Sequence, residues 1–150
     1  MSEPRVFNSL DELRPLIGQE AGVSLWFEIT QDAINRFADV SGDHQWIHVD
    51  VERARSESRY GNTIAHGFLT LSLLSHLSRQ AVDVRSGLPM RVNYGLNRVR
   101  FPSPVVAGSR VRARFAPQSV SASEIVWLVT MEIEGGEKPA LVAEWITRFY

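Results

Sequence analysis

Four histidines are spread through the chain, and two of them fall within Ser41-Gly42-Asp43-His44-Gln45-Trp46-Ile47-His48. Asp43 and His48 are five positions apart, so a turn between them brings a carboxylate and an imidazole to one point. Such a pair can hold a water, take its proton and return one elsewhere. The same spacing also suits an aspartate that caps a turn beside a packed histidine. His44 and His48 have the i,i+4 spacing of a zinc-binding helix. The glutamate that serves as base in such a helix is replaced here by Gln45, whose amide cannot do that work. The Ser-Gly-Asp run ahead of His44 favours a turn, so no metal is expected.

A second group follows in Thr63-Ile64-Ala65-His66-Gly67-Phe68. Gly67 lets a ligand approach the backbone closely, or lets a helix pack tightly on a sheet. At the start of a helix its free N–H would favour an oxygen that gains negative charge. His66 reads as a satisfied structural histidine and is given no catalytic role.

These residues need elements to hold them. Ser9-Leu10-Asp11-Glu12 has the form of a capping box and predicts a short helix ending near Gly18 or Gly22. From Val23 the chain alternates, with Val23, Leu25, Phe27 and Ile29 on one side, which predicts a strand. Thr30 is placed to cap a helix carrying Ile34, Phe37 and Ala38, with Asp32 in its first turn. Residues 40–63 read as a long polar connection with one helical turn, and long ordered connections are often functional. Residues 65–81 predict a helix whose Phe68, Leu69, Leu71, Leu73, Leu74 and Leu77 surround it, so burial on several sides is expected.

Four strand-like runs complete the chain, over 90–101, 109–116, 124–134 and 140–149, punctuated by glycine and proline. The first shifts phase and predicts a bulge near Asn97. In the second, Arg110, Arg112 and Arg114 share one face. That row could meet the phosphates of a nucleotide-bearing substrate, but a solvated outer face accounts for it more simply. One strand, an apolar helix and four antiparallel strands give an α+β fold, and the economical arrangement wraps the sheet around the central helix in hot-dog topology.

At 150 residues one domain, 1–150, is expected. A hydrophobic fraction of 44% with 22% charged residues is that of a globular protein rather than a disordered one. The net charge of −1 argues against a nucleic-acid partner. With no cysteine, disulfides, thiolate metal sites and a cysteine nucleophile are excluded. The first residues lack the basic start and apolar run of a signal peptide, and nothing approaches the ~20 apolar residues of a membrane span. A cytoplasmic protein without membrane contact is the expectation.

Ser41-Gly42-Asp43, His48 and Ile64-Ala65-His66-Gly67, with Tyr94-Gly95-Leu96-Asn97-Arg98-Val99-Arg100-Phe101-Pro102-Ser103-Pro104-Val105 downstream, resemble the MaoC-like (R)-specific enoyl-CoA hydratases over most of the chain. The commonest family motif has asparagine and proline where this chain has Gln45 and Trp46. A subgroup similar to this chain reads Asp-His-Gln-Trp-Ile-His. The resemblance implies a hot-dog fold and the reversible addition of water to a trans-2-enoyl-CoA, giving an (R)-3-hydroxyacyl-CoA. It implies catalytic roles for Asp43 and His48, an oxyanion N–H at Gly67, and a water-side serine at Ser75. It also implies a homodimer and no cofactor, coenzyme A being part of the substrate. The alternatives are a carrier-protein dehydratase, an acyl-CoA thioesterase, or an acyl-CoA-binding subunit without turnover.

Overall fold

The computed structural model describes residues 3–150. Its largest element is a six-stranded antiparallel sheet in the order β2 (Gly22–Val23), β6 (Arg110–Val120), β7 (Glu124–Ile133), β8 (Leu141–Phe149), β5 (Arg91–Arg100), with β3 (Phe27–Glu28) also paired to β6. The long strands β5, β6, β7 and β8 lie close to the four runs predicted from alternation. Period-2 patterning works here because one face is covered. Val111, Ala113, Phe115, Ile125, Trp127, Val129, Met131, Leu141, Ala143 and Trp145 all point inward and are buried. The one polar atom that Trp127 carries inward is satisfied, its Nε1–H donating to Thr147 Oγ1 at 3.2 Å.

The covering element is the central helix. It runs as α4 (Gly67–Ser72) and α5 (Leu74–Ala81), which meet at Leu73 instead of forming the single helix predicted over 65–81. α4 packs on β8, and α5 on β6 and β2 (Gly22–Val23). Leu69, Leu74, Leu77 and Ala81 are buried against the sheet. A fully buried leucine contributes roughly 1.5–3 kcal/mol, so this stripe anchors the helix. Burial on several sides is expected, but Phe68 is 69% exposed. Phe68 faces outward beside the edge strand β5, where its ring meets Phe101 edge-on.

Other departures have local causes. The predicted capping box does not close. Residues Leu10–Leu16 form a 3-10 helix, Ser9 makes no side-chain cap, and Glu12 accepts from the N–H of Asn8 instead. The predicted strand from Val23 is split into β2 and β3 (Phe27–Glu28), because Ser24 turns inward and its Oγ accepts from the N–H of Ala113. A short parallel pair, β1 (Arg5–Phe7) with β4 (Val82–Val84), was not foreseen.

Helix α1 (Gln31–Ser41) agrees with its prediction. Thr30 Oγ1 accepts from the N–H of Ala33, and Gly42 ends the helix in the left-handed conformation at φ 77°. The 40–63 connection holds two helices rather than one turn: α2 (Trp46–Val49) and α3 (Val51–Glu57), the latter capped by Asp50. β5 carries the bulge expected near Asn97, between Asn97 and Arg100, and a second shift between Asn93 and Gly95. The arginine row is an ion-pair ladder on the outer face: Arg110 pairs with Glu134, Arg112 with Glu132, and Arg114 with Glu20 and Glu132.

Candidate active site

The left-handed Gly42 turns the chain out of α1, and Asp43 follows at once. Asp43 Oδ1 accepts from the N–H of Gln45, and Ser41 Oγ accepts from the N–H of Asp43. This local turn delivers the chain into α2, whose His48 points back toward Asp43. His48 Nε2 and Asp43 Oδ2 are 4.0 Å apart. Asp43 is about half exposed, whereas His48 is buried.

His48 is held from three sides. Its Nδ1–H donates to the carbonyl of Ile64 at 2.7 Å, which fixes the neutral tautomer with Nε2 free. Its own carbonyl accepts from Gln31 Nε2–H at 2.7 Å. Its ring stacks on His66, with centroids 3.8 Å apart and planes 21° from parallel. Ile64 is placed for this by a bridge to Val106 and by its N–H, which donates to the carbonyl of Ile47. Burial pushes the His48 pKa down, and the neighbouring His66 adds to this. The Ile64 carbonyl and the Asp43 charge oppose it without prevailing.

Gly67 opens α4 beside this pair. A Cβ there would stand 3.0 Å from the ring of Phe101, just past the end of β5, so glycine permits the close approach of α4 to that ring. Asp43, His48, His66, Gly67, Phe68 and Phe101 line one cavity of about 400 Å³. His48, Gly67 and Phe101 also line a neighbouring one of about 310 Å³, with Tyr60 and the 102–105 turn. Ser75 is elsewhere. It exchanges hydrogen bonds with Asn93 in a third cavity of about 300 Å³, whose wall shares only Phe68 with the Asp43 cavity.

The sequence reading gave His66 no catalytic role, and the structure packs it against the pair. It is 4% exposed, and its Nε2–H donates to the carbonyl of Asp43 at 2.9 Å. Trp46 lies under the guanidinium of Arg53, 4.2 Å from its ring centre, and lines neither cavity at His48. His44 turns away to pair with Asp39 at 2.9 Å, and that partner raises its pKa. The metal-like pairing of His44 with His48 is therefore not formed.

Asp43, His48 and His66 do offer three ligand atoms within 4.8 Å of one another. The nearly parallel rings fit an ion poorly. Imidazole lone pairs lie in the ring planes, and two stacked planes do not converge on one point at the roughly 2.0–2.1 Å of a zinc–nitrogen bond. What the arrangement suits is a water. An oxygen about 2.8 Å from both Nε2 and Oδ2 spans the 4.0 Å gap with an angle of roughly 90° at the oxygen.

Comparison with known proteins identifies the family. A family model for the MaoC like domain matches residues 12–133. The 3-hydroxyacyl-thioester dehydratase Z of Mycobacterium tuberculosis is 48% identical over 150 residues, covering 97% of this chain and 98% of that protein. Nodulation protein N of Rhizobium leguminosarum bv. viciae is 51% identical over 144 residues, covering 93% of this chain and 89% of that protein. The unliganded R-hydratase PhaJ1 from Pseudomonas aeruginosa superimposes with a TM-score of 0.76 at 22% identity, over 95% of this chain and 85% of that one. The fold is thus the hot-dog fold, and the chain belongs to the MaoC-like dehydratase family of hydro-lyases.

Proposed function

We propose that the protein catalyses the reversible hydration of a trans-2-enoyl thioester to the (R)-3-hydroxyacyl thioester, with coenzyme A as the thiol. The observation that carries this is the free Nε2 of His48 facing Asp43 across 4.0 Å. In the hydration direction Asp43 orients a water and His48 Nε2 takes its proton as the oxygen adds to C3. Electrons move through C2 onto the thioester oxygen. The N–H of Gly67 stabilises that charge, and the proton held by His48 completes the addition at C2. Dehydration runs through the same groups in reverse. The step is redox-neutral, so the reaction as written calls for no redox cofactor.

The relatives' names favour a thioester substrate without choosing between coenzyme A and a carrier protein. Carrier-protein dehydration is therefore the second reading, and the same site chemistry serves both. Ser75 is proposed to contact substrate from its own cavity. A homodimer is proposed as well, through β5. That strand ends the sheet with one edge unpaired and exposes Met90, Tyr94, Leu96 and Phe101 along and beside it.

The test is loss of enoyl-thioester absorbance with crotonyl-CoA, a longer enoyl-CoA and the matching carrier-protein thioesters, for wild type, Asp43→Asn and His48→Ala. Turnover by wild type with a loss of at least ~100-fold in both variants supports the reading. Inert wild-type protein on all four substrates, or variants that match it, overturns it.

A further inference from the structure

The side chain of His66 touches both members of the pair. His66 stands at the N-cap position of α4, its Nε2–H reaches the Asp43 carbonyl at 2.9 Å, and its ring lies flat on His48 at 3.8 Å. Phe37 of α1 closes the far side of the ring at 4.9 Å. The other hydrogen bonds of Asp43 are to Ser41 and Gln45, both two residues away, and move with the loop. The bond to His66 is thus what ties the Asp43 loop to the central helix. We propose that His66 is a positioning residue, holding Asp43 by its backbone and His48 by its face so that the gap between them stays one water wide. The inference rests on the water-activating role given above to Asp43 and His48.

The second nitrogen of His66 sharpens the point. Nδ1 is buried and has no hydrogen-bond partner among the described residues. An unpaired buried polar atom is costly and asks for a reason. The Asp43 carbonyl is thus the polar partner that orients this ring. The groups facing His48 are Asp43 from the α1–α2 turn, His66 from the start of α4, and Tyr60 from the segment after α3. Phe101, at the end of β5, is uncharged. The proton taken from water resides on His48, from which it can be returned to substrate.

Two substitutions separate the two contacts. His66→Phe keeps a flat ring and removes the N–H. His66→Gln keeps an N–H donor and removes the ring. On an enoyl thioester that wild type hydrates, His66→Phe is expected to lose about 10-fold or more in kcat, with KM within about twofold. His66→Gln is expected to regain most of that kcat, and its acid limb to move to higher pH as one opponent of His48 protonation disappears. Wild-type kcat and an unmoved acid limb in both variants overturn the proposal. Should His66→Phe not fold, imidazole NMR titration of His48 in wild type and in His66→Gln decides. A His48 titration that moves to higher pH in the variant supports the inference, and an unmoved one sinks it. Inactive wild-type protein would instead overturn the proposed reaction, and the NMR titration would still judge the role of His66.

Discussion

The Nδ1–H of His48 donates to the carbonyl oxygen of Ile64 at 2.7 Å, so the nitrogen turned toward Asp43 is the one without a proton. Burial, helped by His66, lowers the pKa of this ring. The base is therefore neutral over a wider range than a free histidine, and kcat/KM is expected to hold below pH ~6.5 before it falls. The same shift affects stability. As pH drops below ~6.5 the unfolded chain binds a proton at this position that the folded one does not, so stability declines with falling pH, levelling below the folded-state pKa. Melting temperature against pH checks this. His48→Gln should flatten the slope between pH 5 and 7, and an unchanged slope would assign it to other groups.

Gly67 meets two demands at once, since a side chain there collides with Phe101 at 3.0 Å while the N–H belongs to the proposed oxyanion site. Gly67→Ala is expected to destabilise by about 1–3 kcal/mol through overpacking. Adding Phe101→Leu should restore most of that stability by making room. Urea unfolding of the single and double variants reads the effect. Equal destabilisation of both would show that the strain lies elsewhere.

Much of the fold was legible because it repeats. Period-2 alternation set against a covered face announces β6, β7 and β8, and Thr30 with Asp32 announces α1. Elements settled by distant partners were not legible. Ser24 breaks its strand to meet Ala113, 89 residues away, and β1 pairs with β4 across about half of the chain. In the site, Asp43 and His48 were visible because a local turn joins them. The stack of His66 on His48 and the Ile64 contact bridge 18 and 16 residues through the 63–65 segment. Ala65-His66-Gly67 marked the place, but only packing gives His66 its work.

The arginines of β6 provide a control. Each is engaged with a glutamate on the outer face, away from the cavities at His48. Arg112→Met and Arg114→Gln are expected to leave KM for a CoA thioester within about twofold and stability within ~1 kcal/mol, the range of exposed ion pairs. A rise of tenfold or more in KM would bring the row back as a phosphate site.

The exposed edge of β5 makes the oligomeric state testable. Sedimentation should give twice the chain mass. Leu96→Arg, on that edge and 41% exposed in the single chain, should shift the equilibrium toward monomer, because a buried unpaired charge costs far more than an exposed one. A monomeric wild type would leave the edge needing another explanation.

Gln31 offers a separate way to disturb His48 without touching its ring. From the first turn of α1 it donates to the His48 carbonyl and accepts from the hydroxyl of Thr63, which is fully buried. Gln31→Leu leaves both groups without that partner, so a loss of about 1–3 kcal/mol is expected. Because Ile64 and His66 still hold the imidazole, kcat should fall by less than in His48→Ala or Asp43→Asn. Unfolding and turnover measured on the same preparation compare the two effects. A catalytic loss as large as that of Asp43→Asn at unchanged stability would mean that Gln31 acts on the reaction directly rather than through the backbone of α2.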